Sequence, residues 1–407
     1  MVAPRRRVAV VGAGAAGIMA AIHAATAGAE VLLIERTPDG GRKLLLSGGG
    51  RCNLLPAQLD VSRFRTASSP NTLRKIIRTW PLPQQIAFFQ DEVGIKLTVE
   101  PATGKMFPVS GRAREVRDKL FTLARRRGVR LLPHTAVSTL TRDAGDWRLT
   151  TATGTVTADA VVVATGGLSF PDTGSDGGFW PLLAQLGHSV VPAYPALTPL
   201  LTDAPLFTAL ADVALDATVT AMAGSDRATA TGGLLFTHQG FSGPAILEVS
   251  HIITRARLAG QLARITVNWT RLTAGDWRTR LHQSSARPLL ALLRETMPER
   301  LAAALCSFCS LSPDQPVPQL RREERARLIA ALTDCVLPVT GDAGYVAAEV
   351  TGGGIALADI TPATMASRHC PQLHLAGELL DVFGMIGGNN LLWAWTTGRL
   401  AGLAAAR

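Results

Sequence analysis

RVAVVGAGAAGIMAAIHAATAGAEVLLIER (residues 7–36) reads as strand, glycine turn, helix, strand and terminal acid. The short β-branched run of Val8, Val10 and Val11 leads straight into Gly12, Gly14 and Gly17. An alanine-rich helical stretch follows, then Val31 to Ile34, ending on Glu35. That order is the fingerprint of a dinucleotide-binding βαβ unit. Gly12 takes the tight turn, Gly14 lets the backbone approach a pyrophosphate, and Gly17 lets the helix lie close on the sheet. The helix beginning near Ala15 offers unpaired N–H groups and a positive dipole end to phosphate. Glu35 stands 18 residues after Gly17, near the spacing of about 20 at which a carboxylate accepts from ribose hydroxyls. A glycine triplet alone is a weak signal; strands on both sides and the placed acid make this one specific.

A chain of 407 residues exceeds one ordinary core and implies two or three lobes, and 47% hydrophobic content is ample to fill them. No uninterrupted apolar run free of glycine clusters and charges is long enough to span a membrane. Arg5, Arg6 and Arg7 ahead of an apolar stretch imitate a secretory signal. That stretch is the nucleotide fingerprint itself, so the arginines read as a solvated flank and the protein as cytoplasmic. The net charge is +10, carried by arginine with only five lysines. A basic total raises the question of nucleic acid. The arginines are spread out, however, with residues 125–127 and 321–322 the only other tight clusters, and they are not interleaved with aromatics. Solvated helix faces and a few phosphate contacts explain them better than a nucleic-acid partner. Cys306 and Cys309 form a C-x-x-C in a leucine-rich, helix-like setting without a second pair. Five cysteines in this length are no disulfide framework, so they read as structural.

The second motif follows the first within a few residues. Asp39-Gly40-Gly41-Arg42-Lys43 leads into Ser47-Gly48-Gly49-Gly50-Arg51-Cys52-Asn53. Two glycine clusters, each beside cationic side chains, suggest a loop wrapped round an extended anion. An ordinary NAD domain would continue into another βα unit here. A second cradle suits a longer cofactor that runs out of the first site, namely FAD.

Residues 62–80 and 82–94 read as helices, 95–99 as a strand, 101–110 as a loop containing Lys105, and 112–127 as an amphipathic helix. Short strands follow at 129–132, 135–141 and 147–151. Residues 156–164 read as one buried, parallel-type strand ending in Thr165-Gly166-Gly167, a tight turn suited to a backbone passing close to the adenosine half of a dinucleotide. A polar glycine loop at 171–177 precedes a helix at 179–186. Prolines at 192, 195 and 199 read as a linker into alternating strands at 213–221, 228–236 and 264–269. Thr237 to Pro244 form a loop carrying His238 ahead of an apolar helix; 289–309 and 321–336 read as a small helical subdomain, and 347–357 returns toward the sheet. The expected organisation is an α/β chain with a Rossmann-like FAD-binding domain built from both ends. Residues 1–190 form its first segment and 341–407 its second; a β-barrel-like domain (191–275) and a helical subdomain (276–340) are inserted between them.

The last informative stretch is LHLAGELLDVFGMIGGNNLLWAWTTGRL, residues 373–400. Leu373 to Ala376 make a final buried strand, Gly377-Glu378 its turn, and Asp381 can accept from ribityl hydroxyls. Gly387-Gly388-Asn389-Asn390 then starts a helix through Trp393 and Trp395 to Arg399. A helix N-terminus aimed at the pyrimidine end of an isoalloxazine stabilises the negative charge of a reduced flavin without any titrating side chain.

On the segments VVGAGAAGIMAA, GRKLLLSGGGRCN, ATGGLSFPDTGSDG, LLFTHQGFSGPAIL, VTGGGIALADITPATM and LAGELLDV…GGNNLLWAW…GRLAG, the chain resembles the BaiN/YhiN-type family of NAD(P)/FAD-dependent oxidoreductases, which includes aminoacetone-oxidase-family flavoproteins. The resemblance covers essentially the whole chain, and GRKLLLSGGGRCN is its most diagnostic part. It implies cofactor contacts at Gly12, Gly14, Ala15, Ala16, Gly17, Glu35, Arg36, Lys43, Ser47, Arg51, Cys52 and Asn53. Further implied contacts are Thr165, Gly166, Gly377, Glu378, Asp381, Asn389, Asn390 and Leu391. The chain departs from the family near the ring: Asn389 stands where members commonly carry Tyr, Phe383 where they often carry Asp, and Leu392 where they often carry Gln.

The reading is an FAD-dependent oxidoreductase that transfers a hydride between flavin N5 and a small organic substrate. NAD(P)H as donor is implied by the resemblance alone, because no second G-x-G-x-x-G follows a strand. Three alternatives stand beside it: an oxidase acting on a small amine with O2, a flavin-dependent RNA-modifying enzyme, and a non-catalytic flavin sensor. No catalytic acid or base is assigned. His238 and Lys105 read as surface or structural residues, and Cys52 as a packed thiol rather than a redox partner. No metal and no membrane partner are expected, and the oligomeric state stays open.

Overall fold

Val8 to Val11 and Ala160–Val163 are apolar at every position because the sheet they enter is covered on both faces. In the computed structural model, which describes residues 5–143, 145–284 and 286–407, these strands form the centre of a seven-stranded sheet. Leu373–Leu375, Ala160–Val163, Arg7–Val11, Glu30–Ile34 and Arg130–Leu132 lie side by side in that order, all parallel. Ala366–Ser367 and Ile360–Thr361 extend one edge antiparallel. Arg7–Val11 therefore has neighbours reached in opposite directions along the chain. It is a topological switch point, where ligands bind outside the carboxyl ends of the strands.

The helix Ala15–Thr26 follows the first strand and lies against the C-terminal helix Asn389–Ala405. Their backbones meet because the C-terminal helix carries glycine at the crossing. A Cβ on Gly398 would sit 2.2 Å from the Ala16 carbonyl oxygen, and one on Gly402 would sit 2.2 Å from that of Ala20. The two ends of the chain thus share one core with the sheet between them.

The chain divides into two compact units, Met1–Ala193 with Val350–Arg407, and Tyr194–Glu349. The crossings fall at 193/194 and 349/350, against the expected 190/191 and 340/341. The helices read as a subdomain of the insert at 276–340 lie in the same unit as its sheet. That unit holds a seven-stranded antiparallel sheet with Ala214–Ala223 and Asp226–Thr237 at its centre. The helix Pro244–Leu258 packs on these two strands, and Ala274–Gln283, Glu299–Phe308 and Arg322–Thr333 complete a core of its own.

Five local expectations need correction. Val190–Ala196 is a strand, not a linker, and lies beside Val350–Ile355 in a two-stranded sheet, where its prolines break no long ladder. That pairing also keeps Val350–Ile355 out of the main sheet. Lys105–Pro108 is a strand between Leu55–Pro56 and Leu97–Glu100 rather than part of a loop. The expected helix at 62–80 is only Pro70–Ile77; upstream, Phe64–Arg65 pairs with Phe383–Gly384 from the far end of the chain. The single strand at 156–164 is two, an antiparallel Gly154–Ala158 and the parallel Ala160–Val163.

The helix crossing makes a definite prediction. In a free helix Gly→Ala gains about 1 kcal/mol, whereas overpacking against backbone that cannot yield costs about 1–3 kcal/mol. Gly402→Ala is expected to lower stability by roughly 1–2 kcal/mol, read as an earlier urea midpoint. A neutral or stabilised variant would show that the crossing is looser than described.

Candidate functional site

The glycine turn is built as its three positions require. Gly12 has φ +97°, and a Cβ there would lie 2.5 Å from the Ala164 carbonyl oxygen. A Cβ on Gly17 would lie 1.8 Å from the Gly12 carbonyl oxygen, so only glycine lets the helix start this close to the turn. Gly14 is different: nothing approaches within 4 Å of its missing Cβ. It caps the helix without a side-chain hydrogen bond, and the first turn, beginning with Ala15 and Ala16, carries no acid. That end carries backbone N–H groups and a positive dipole, with open space beside Gly14.

Glu35 is buried at the end of the second strand. One carboxylate oxygen accepts from the Ala13 N–H and the other from the Thr37 N–H, each at 2.7 Å. These bonds fix the carboxylate beside the glycine turn and leave further lone pairs on each oxygen. Arg36 pairs with Asp176 at 2.7 Å, both half exposed, a contact worth little in stability. It helps place the 171–177 loop, whose Gly174 packs on Thr37.

The second glycine cluster folds back on itself. Ser47 Oγ donates to the Leu44 carbonyl at 2.7 Å, the Cys52 N–H donates to the Ser47 carbonyl at 2.9 Å, and Gly48 sits against Asn53. Cys52 is fully buried, and burial pushes its thiol up to about 12, so it stays protonated at neutral pH. Arg51 lies 4.2 Å over the Phe107 ring and pairs with Glu100 at 3.1 Å; Arg42 reaches Asp39. Lys43 turns the other way. Its Nζ donates to Ser169 Oγ and to Glu378 Oε2, while Glu378 Oε1 accepts from Ser169 Oγ at 2.7 Å and from the Thr351 N–H at 2.9 Å. Ser169 and Thr351 were not singled out in the sequence. Their only signal there is a small hydroxyl within two residues of a glycine cluster.

Thr165 and Gly166 follow the Ala160–Val163 strand, where Gly166, at φ +79°, lies against Ser175 Oγ. From the C-terminal segment, Gly377 packs on Ala16, with 2.7 Å between its missing Cβ and the Ala16 Cβ. Its N–H donates to Thr397 Oγ1 at 3.0 Å, and its carbonyl accepts from Trp393 Nε1 at 3.0 Å. Trp395 Nε1 donates to the Leu54 carbonyl at 3.1 Å, tying the same helix to the second glycine loop. Asp381 is 3% exposed. Burial pushes its carboxyl above the usual carboxylate range, and hydrogen bonds from Ser68, Thr66 and the Ala67 N–H pull it partly back. It thereby clamps residues 66–68, another contact the sequence did not announce.

The double-glycine turn ends the set. Gly387 and Gly388 have φ of +122° and +87°, and a Cβ on Gly388 would lie 2.5 Å from the Leu55 carbonyl carbon. Gly388 caps the 17-residue helix beginning Asn389, Asn390, Leu391 with no side-chain hydrogen bond and no acid in its first turn. Asn390 is pinned in both directions to the Gly384 backbone at 2.7 Å. Three buried side-chain oxygens in these segments have no hydrogen-bond partner: Thr37 Oγ1, Asn53 Oδ1 and Asn389 Oδ1. Such orphans are uncommon in folded proteins and invite a donor from a ligand. The site therefore combines free helix N–H groups, which suit phosphate, with buried acceptors, which suit hydroxyl or ring N–H.

Other candidates fall elsewhere. His238 is exposed in the turn after Asp226–Thr237, and Lys105 is half exposed opposite Glu100. Cys306 and Cys309 are free, buried thiols, both pushed up by burial. Among the described residues no group of His, Cys, Asp or Glu could hold a metal, and no helix is long and apolar enough to cross a membrane.

Known proteins place this geometry. A family model described as the HI0933-like protein Rossmann domain matches residues 6–404. A 3-dehydro-bile acid delta(4,6)-reductase from Clostridium scindens is 31% identical over 98% of this chain and 99% of its own. A ribosomal RNA dihydrouridine synthase from Escherichia coli is 32% identical over 95% of each chain. Among solved structures, the open conformation of a flavocytochrome c3 fumarate reductase shares the fold, at 17% identity and a TM-score of 0.51 over 99% of this chain and 78% of that one. With its match running almost end to end, the chain belongs to the HI0933-like Rossmann family, as an FAD-dependent oxidoreductase.

Proposed function

We propose that this protein reduces a carbon–carbon double bond conjugated to a carbonyl, using FAD as resident cofactor and NAD(P)H as hydride donor. The residues fit FAD. The helix N-terminus at Gly14, Ala15, Ala16 and Gly17 suits the pyrophosphate, and Glu35 suits the ribose hydroxyls of the adenosine half. Thr165 and Gly166, beside Ser175 and the loop that packs on Thr37, would pass close to the adenosine half, while Ser47, Asn53 and Asp381 would line the ribityl chain. The turn from Gly377 through Glu378 to Asn389, Asn390 and Leu391 would face the ring. Arg36, Lys43, Arg51 and Cys52 would act behind these contacts by holding their loops. When bound, FAD supplies two-electron chemistry through hydride exchange at N5. The protein's part is to seat the ring, keep the pyrimidine end beside the uncapped helix of Asn389–Ala405, and close the loops that Lys43, Ser169 and Glu378 tie together.

The observation that carries the reading is the pairing of uncapped helix ends with orphaned buried acceptors, contributed by both ends of the chain. The bond type comes from the relatives. A 4,6-unsaturated 3-oxo bile acid and the uracil ring are both conjugated carbonyl compounds, and both named activities saturate a ring double bond. In such a reduction the β carbon takes the hydride and the α carbon a proton, so one NAD(P)H and one proton are consumed. A small organic substrate is the first reading. A uridine in RNA is the second, raised by the Escherichia coli relative.

Anaerobic mixing of the yellow protein separates these readings. NADH or NADPH is expected to bleach the flavin band, and a 3-oxo-4-ene steroid or a uridine-containing RNA to restore it. Bleaching by a small amine without NAD(P)H would instead make the protein an amine oxidase. Cys52→Ser is expected to keep turnover within about twofold, because a buried, protonated thiol takes no part in electron transfer. A loss of about a hundredfold in the folded variant would restore a redox role for Cys52.

A further inference from the structure

We propose that Asn389 reads the pyrimidine edge of the flavin, its side-chain oxygen accepting the ring N3–H. The inference rests on the FAD reading above and assigns one atom of this chain to one atom of the cofactor. Asn389 is 2% exposed. Its Nδ2 donates to the carbonyls of Met385 at 3.0 Å and Ile386 at 3.5 Å, which fixes the orientation of the amide. The donor end is therefore spent and Oδ1 turns away from those carbonyls, buried and without a partner. A buried carbonyl oxygen left in that state is costly unless a ligand supplies a donor.

The surroundings fix that oxygen in place. Gly384 lies so close that a Cβ on it would meet the Asn389 Cβ at 2.4 Å, and Asn390 is tied at both amide atoms to the Gly384 backbone. Gly388 is pressed on Leu55. Asn389 opens a long helix whose first N–H groups have no capping side chain. The patch therefore offers one acceptor beside backbone donors. The pyrimidine edge of oxidised flavin presents the complementary order of carbonyl, N–H, carbonyl, and N3–H is the only N–H on the oxidised ring. Asn389 is thus a recognition residue that holds the ring rather than a group that moves protons. Asn53 Oδ1 is the rival acceptor, equally orphaned on the second glycine loop.

The test uses the full chain stripped of flavin and titrated with FAD and with N3-methyl-FAD, read by flavin fluorescence. Wild type is expected to bind the methylated cofactor about tenfold or more weakly, and Asn389→Ala to bind the two within about twofold of each other. Asn53→Leu, which removes a contact to the ribityl chain, is expected to weaken both cofactors by the same factor and so to keep the wild-type preference between them. If that preference vanishes with Asn53→Leu and survives Asn389→Ala, or if wild type binds both cofactors alike, the assignment to Asn389 is overturned while the FAD reading stands. If wild type takes up no FAD, both fall. Should Asn389→Ala fail to fold, nitrogen-15-labelled FAD on the wild type decides. An N3–H proton in slow exchange with solvent both in wild type and in Asn53→Leu supports the assignment, and fast exchange in either overturns it.

Discussion

The contact between the backbones of the first and last helices is the constraint on which the site depends. Gly398 and Gly402 let the C-terminal helix lie directly on the carbonyls of Ala16 and Ala20. Close approach of this kind needs small residues, since a single added methyl would collide with backbone. From that crossing the rest of the cradle follows. Gly377 comes down on Ala16 beside the glycine turn, Trp393 holds the Gly377 carbonyl, and Trp395 reaches the second glycine loop at Leu54. Polypeptide separated by more than three hundred residues becomes one rigid rim.

That rim uses few charges. Glu35 is spoken for by two backbone N–H groups, Lys43 by Glu378 and Ser169, and Asp381 by a loop of hydroxyls and amides. Beside the spare lone pairs of Glu35 and Asp381, what remains unspent is neutral: the N–H groups of two helix ends and three buried side-chain oxygens. Each orphaned oxygen costs about 1–3 kcal/mol while it lacks a donor. The fold therefore carries strain that a ligand with matching donors and acceptors relieves, and ligand binding should stabilise it by mass action. A site of this character tunes a ring through fixed dipoles rather than through a titrating group.

Much of this was legible because it is local. The first βαβ unit shows its strand, turn, helix and acid within thirty residues, and the alternation of apolar period from strand to helix is unambiguous there. The last strand, the Gly377-Glu378 turn and the tryptophan helix read equally well. Elements defined by distant partners did not. Phe64–Arg65 is a strand only because Phe383–Gly384 lies beside it, and Val190–Ala196 hides behind its prolines until Val350–Ile355 pairs with it. The roles of Ser169, Thr351 and Ser68 are of the same kind, since each is set by a carboxylate or hydroxyl brought in from elsewhere. Asn389 announced its place in the site, but not which atom would be left without a partner.

The central claim is that both ends of the chain close on one molecule of FAD. Hydrogen–deuterium exchange, resolved by peptide with and without FAD, tests it most directly. The account predicts that FAD slows exchange together in the segments around residues 12–17 and 35, and around residues 377–391. Protection confined to one of these ends, with the other exchanging as in the free protein, would contradict it.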